Sequence, residues 1–221
     1  EARYAGVDGW NAQAFVPTTL GDSLQINAGV PLFNAAGTAI DASYASQWHS
    51  FELNGRREIC QQRAVLLAGV RYAELDEAWG FALSEGSSPL QLETSTRNRL
   101  WGFQLGGDAV LWDRGGRLSL EGDAKAGIYG NRAAQASLIR SANFPSSDHG
   151  TSAAFLGELG LTGNLQITQG LSIRGGYRLV WINGVALAPE QLAARDAFGQ
   201  GLDISGDAFL HGAFVGLQYV R

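Results

Sequence analysis

Along much of this chain apolar and polar residues alternate with a period of two, the mark of strands with one dry face and one polar face. Between Arg117 and Asn131, Leu118, Leu120, Gly122, Ala124, Ala126 and Ile128 share one face. Arg117, Ser119, Glu121, Asp123, Lys125, Tyr129 and Asn131 share the other, with Gly127 among them. A helix would scatter those charges round its circumference. The pattern recurs from Phe155 to Ile167, where Leu156, Glu158, Gly160, Thr162, Asn164 and Gln166 stand between the outer set, and again from Leu171 onward. Trp101, Phe103, Leu105, Ala109 and Leu111 oppose Asn98, Gln104 and Asp108, while Leu24, Ile26, Ala28 and Val30 oppose Ser23, Gln25 and Asn27.

This alternation predicts strands over 22–31, 45–60, 64–83, 90–112, 116–138, 152–168, 171–187 and 206–220. Short turn-like links at 60–63, 113–116 and 168–170 alternate with longer polar links at 31–43, 84–89, 139–151 and 188–205. Short turns on one side and long loops on the other belong to a membrane barrel. The predicted fold is therefore all-β: a closed antiparallel up-and-down transmembrane β-barrel of about eight strands. Residues 1–21 fit no strand and form an N-terminal periplasmic or plug-like extension, with the barrel domain at 22–221. Within the last long link, Pro189 to Ala197 reads as a short helix, Pro189 suiting its first turn.

A soluble ligand-binding barrel would alternate in the same way with its faces reversed. Three features favour the membrane version. Charges of both signs sit in mid-strand on the polar face, at Glu52, Arg56, Arg71, Asp108, Glu121, Asp123, Lys125, Glu158, Arg174 and Arg178. They can pair as a lumen charge network, where unpaired charge would be costly. Aromatics including Trp48, Tyr72, Trp79, Trp112, Trp181 and Tyr219 lie near strand ends, as interfacial girdles require. Many strands also exceed the ~9–11 residues that cross a bilayer.

Composition narrows the rest. The 221 residues carry a formal net charge of −5, which disfavours nucleic acid as a partner. The single Cys60 can form no internal disulfide. No Met is present, so a secretory leader is expected to have been removed ahead of Glu1. The expected partners are outer-membrane lipid and other envelope proteins or a second copy of the chain.

Little points to catalysis. Ser146, Ser147, Asp148 and His149 lie together in a predicted external link, but neighbours in sequence rarely make a working triad. His49 and His211 are isolated and lack the spacing of metal ligands. Glu121, Asp123 and Lys125 could set ion preference in a pore; an internal salt-bridge ladder occluding the lumen, with Arg174 and Arg178 as partners, is favoured, because eight strands leave room only for side chains. No catalytic residue, metal or cofactor is expected. The expected role is porin-like or structural and scaffolding, with a lipid-modifying enzyme or a soluble ligand-binding barrel as the alternatives.

The stretches HSFELNGRRE (His49 to Glu58), LLAGVRYAELDE (Leu66 to Glu77), TRNRLWGFQLGG (Thr96 to Gly107), KAGIYGN (Lys125 to Asn131) and RGGYRLVWINGVALAP (Arg174 to Pro189) resemble the outer-membrane β-barrel porins abundant in planctomycetes. The resemblance covers roughly His49 to Arg221. It implies an outer-membrane barrel in a Gram-negative-type envelope and supplies no catalytic or binding residues. The chain departs from the usual barrel ending by closing on Tyr219-Val220-Arg221 rather than on an aromatic.

Overall fold

The computed structural model describes residues 1–17, 23–26, 30–34, 39–59, 63–84, 90–140, 143–191 and 201–219. Ten strands follow one another: β1 (Ala2–Pro17), β2 (Ser23–Ile26), β3 (Val30–Asn34), β4 (Ala39–Ile59), β5 (Ala64–Ser84), β6 (Leu90–Asp113), β7 (Leu118–Ile139), β8 (Phe144–Gln166), β9 (Leu171–Val185) and β10 (Gly206–Tyr219). Eight form one antiparallel up-and-down sheet in the order β1-β4-β5-β6-β7-β8-β9-β10, and β2 pairs with β3 alone. The sheet curls through 239° into an open half-barrel with its edges 10 Å apart, about twice the spacing of paired strands. Two of the short turns define what we call the lower end. At 113–116 the Asp113 carboxylate accepts from the Gly115 amide, and Gly115 takes a φ of 71°. At 168–170 the Thr168 hydroxyl accepts from the Leu171 amide at 3.1 Å.

The eight-stranded sheet differs in membership from the sequence expectation. Residues 2–17, set apart as an extension, form the edge strand β1, while the segment expected as the first barrel strand (22–31) contributes to the separate β2–β3 hairpin. β1 escapes the period-two test because a bulge between Val7 and Trp10, with Gly9 at φ 82°, shifts its register on β4. Ala2 and Tyr4 share a face with Leu53 and Phe51 below the bulge; Asn11 and Gln13 share that face above it. The expected external link 139–151 is largely strand, since β8 begins at Phe144 and stays paired with β7. Of the predicted helix at 189–197 only 189–191 are described, and Cys60 lies outside the described residues.

Burial fixes the orientation of the two rows. In β7 every second residue from Lys125 to Ser137 is buried, and those between are exposed. Lys125, Tyr129, Asn131 and Gln135 point inward; Ala124, Ala126 and Ile128 point outward. Leu159 and Leu161 on β8 are likewise exposed while Glu158 is 3 % exposed. The outward row changes character partway up each strand. Phe51 is followed upward by His49, Tyr72 by Glu74, Trp101 by Arg99, Trp181 by Asn183 and Phe209 by Asp207. Tyr72 and Trp101 touch across strands at 4.4 Å between ring centroids, and Phe155 meets Trp181 edge-on at 5.5 Å. Above this aromatic rim the outer face is ionic, with Arg97 bridging Asp76, Arg99 bridging Glu74 and Arg140 bridging Glu93. Two expected girdle residues are not on it: Trp48 is buried inside and Trp79 faces the interior.

Candidate functional site: an occluded lumen

Inward-facing side chains from six strands meet in an ionic layer. Glu52 (β4), Arg71 (β5), Lys125 (β7) and Glu158 (β8) are each at most 6 % exposed. Lys125 Nζ lies 2.8 Å from Glu52 Oε2 and 3.8 Å from Glu158 Oε1. Arg71 Nη1 donates to Glu158 Oε2 at 2.9 Å and lies 3.5 Å from Glu52 Oε1, while its Nε donates to Ser50 Oγ at 2.7 Å. Gln104 and Asn54 donate to Glu52 Oε2 at 2.8 and 3.0 Å. Two carboxylates and two cations thus balance, with the neutral donors Gln104 and Asn54 adding hydrogen bonds to Glu52, which helps make buried charge tolerable. Arg178 extends the layer to β9, its Nε 3.1 Å from Glu158 and its Nη2 3.6 Å from Asp123.

The remaining charges singled out from sequence sit below, partly exposed, in a lower chamber of about 940 Å3. There Arg174 pairs with Glu121 at 3.0 Å and Arg56 with Asp108 at 2.8 Å. All ten residues face inward and fall into these clusters. Sequence reasoning missed Arg3 on β1, 3.8 Å from Glu158, because its segment was not taken for a strand. It also left out Asn54 and Gln104, although Gln104 shares the inner row of its strand with Asp108.

Directly above the ions the inner row turns apolar. Trp48, Ala73, Leu75, Leu100, Tyr129, Leu156, Val180 and Ile182 pack together as a buried cluster. Tyr129 lies over Gly102 and Gly127, where any added Cβ would fall within 2.7 Å of its ring or hydroxyl. Its hydroxyl donates to Gln104 Oε1 at 3.3 Å, tying the apolar layer to the ionic one.

A third layer is backbone. The segment after β9 folds into the lumen, leaving Val185, Ala186, Ala188 and Gln191 fully buried. Buried peptide groups demand partners, and inward amides supply them. Asn98 donates to Ala186 O and accepts from Ala186 N, both at 2.8 Å. Asn131 Nδ2 and Ser152 Oγ donate to Gly184 O at 3.0 and 3.1 Å. Glu77 accepts from Ala188 N at 2.9 Å and from the Tyr44 hydroxyl at 2.5 Å. Near this latch, burial and the carboxylates of Asp203, Glu77 and Asp207 raise the Glu190 pKa, while hydrogen bonds from Ser205 lower that of Asp203.

Ser146 and Asp148 lie on the opposite face of β8 from Ser147 and His149, so hydroxyl, carboxylate and imidazole do not converge. His49 contacts the Tyr4 hydroxyl at 2.9 Å, and His211 contacts that of Tyr177. Among the described residues no group of three or more His, Cys, Asp or Glu side chains is placed to hold a metal. Ions, an apolar layer and infolded backbone thus lie one above another on the concave side of the curled sheet. Comparison with protein-family models, with curated proteins and with solved structures found no match to this chain.

Proposed function

We propose that this chain is an outer-membrane β-barrel with an occluded lumen, whose role is structural or scaffolding rather than open conduction. The observation that carries the membrane reading is the outward row, largely apolar along the lower strands, interrupted by Arg57 on β4 and His211 on β10, and ending in an aromatic on β4, β5, β6, β9 and β10. On β6 this apolar stretch runs from Trp101 to Leu111. At about 3.4 Å per residue and a tilt of about 35–45°, it rises about 24–28 Å, close to the hydrocarbon band of such barrels. The resemblance to planctomycete porins over residues 49–221 points the same way. Occlusion rests on the three stacked layers.

A bilayer leaves unpaired strand edges without partners, at several kcal/mol per peptide group. The reading therefore includes closure of β1 against β10, an approach of about 5 Å. Detergent-extracted protein is expected to show heat-modifiable gel mobility and to give no stepwise conductance in planar bilayers. Solubility without detergent would sink the membrane reading, and ohmic channels would sink the occlusion.

A further inference from the structure

We propose that the outer face of the sheet, just above the aromatic rim, holds the phosphate of an anionic membrane lipid at Arg99 and Arg132. The site rests on the membrane reading. Cross-strand register lays out two outward rows there. The rim row runs Tyr72, Trp101, Gly130, Ala153 across β5, β6, β7 and β8. The row above it runs Glu74, Arg99, Arg132, Thr151.

Arg99 and Arg132 therefore stand directly opposite each other on an antiparallel pair, where Cβ atoms are about 4.5–5.5 Å apart. Like charges so placed repel, and an anion between them relieves the repulsion. Arg99 reaches Glu74 through its Nε, at 3.4 Å, and Arg97 takes up Asp76 at 3.1 Å. Arg132 is exposed and has no ion pair among the described residues. Its neighbours across and along the strands on that face are Arg99, Thr151, Gly130 and Ala134, none of them acidic. Three guanidiniums thus answer two carboxylates, a local excess of positive charge in a chain of formal net charge −5.

The surface below suits the rest of a lipid. The Trp101 ring packs on Tyr72, and an added Cβ at Gly130 would meet only the Trp101 carbonyl oxygen, at 4.0 Å. Gly130 and Ala153 leave an open notch beneath Arg132, and the outward pair Ile128 and Phe155 forms the apolar surface under the notch. From top to bottom, guanidinium, notch and hydrocarbon match phosphate, headgroup linker and acyl chain. The planar guanidinium donates parallel hydrogen bonds to phosphate oxygens, and the headgroup level is where basic side chains meet anionic lipid.

Protein reconstituted in phosphatidylcholine vesicles is first checked for heat-modifiable mobility, which is lost if the membrane reading fails. Folded protein in detergent is then titrated with phosphatidylglycerol and with phosphatidylcholine of the same acyl chains, and bound lipids are counted by native mass spectrometry. Phosphatidylglycerol is expected to bind about tenfold more tightly. Arg132→Gln should abolish that preference and Arg99→Gln should weaken it. Arg140→Gln, which removes a guanidinium held by Glu93 farther up the sheet, should keep it. Equal retention of the two lipids, a preference unchanged in Arg132→Gln, or an equal loss in Arg140→Gln overturns the proposal. So does displacement of phosphatidylglycerol by equimolar inorganic phosphate, the mark of a site for free anions. Insertion without headgroup preference removes the site and leaves the membrane reading standing; solubility without detergent removes both.

Discussion

Asn98 grips Ala186 by both backbone groups, donating to its carbonyl and accepting from its amide at 2.8 Å each. A side-chain amide here completes the pairing that a neighbouring strand would otherwise provide, and it does so across 88 residues of sequence. Asn98→Leu fills a similar volume but orphans both groups, at about 1–3 kcal/mol apiece. The expected result is faster amide exchange at Ala186 and Ala188, with the lower strands unchanged. Exchange as slow as in the parent would show that Asn98 does not hold the segment.

The ionic layer should be far less tolerant of single than of paired changes. Lys125→Met leaves Glu52 facing Arg71, which it shares with Glu158, and removal of one member of a buried network costs about 3–5 kcal/mol. Lys125→Met with Glu52→Gln restores neutrality and should recover most of that loss. Urea midpoints read from gel mobility form the double-mutant cycle, and simple additivity would contradict the layered network.

Outward Leu159 and outward Arg99 should respond oppositely to charge. Leu159 is 57 % exposed within the apolar row, whereas Arg99 lies above the rim beside Glu74. In a bilayer Leu159→Arg is expected to cost about 2–4 kcal/mol near the midplane; Arg99→Gln should cost little. Folding yield in lipid vesicles distinguishes them. Equal yields would place the Leu159 row in water.

Closure of the sheet predicts a particular seam. For eight strands tilted at about 35–45°, the stagger accumulated in one circuit is about 8–11 residues. Face alternation requires an even value, hence 8 or 10. Following paired residues from Ala2 through Leu53, Val70, Phe103, Ile128, Phe155 and Asn183 leads to Asp207. Ala2 lies below the rim residue Tyr4, and Asp207 lies above Phe209, so the path climbs. A stagger of 8 then sets Tyr4 opposite Ala213, and one of 10 sets it opposite Val215. In a Cys60→Ser background, Tyr4→Cys should form an intramolecular disulfide with Cys at one of these two positions. Cross-links only between chains would mean that the edges pair intermolecularly.

How much could be read beforehand depended on which face a residue served. The lower strands of β4 to β10 were legible because lipid-type exposure and a polar interior impose opposite demands on alternate residues. The ten charges expected there lie on inward rows for that reason, whereas inward Arg3 and Glu77 escape the sequence reading. The upper part of β8 was not legible, since Ser146 to Gly150 meet polar surroundings on both faces and lose the contrast that periodicity needs. The aromatic rim was sought at strand ends, yet Tyr72, Trp101 and Trp181 lie within strands.

By itself the sequence determined the strand class and which row is ionic, because period-two burial is a local property of the chain. Only the tertiary structure decided that the ions of β4, β5, β7 and β8 meet in one layer, and that Leu75, Leu100, Leu156 and Ile182 cap them. It alone set the backbone after β9 on Asn98 and Glu77. Those relations depend on register and curl, which bring together residues 50 to more than 100 positions apart, and no local pattern encodes them.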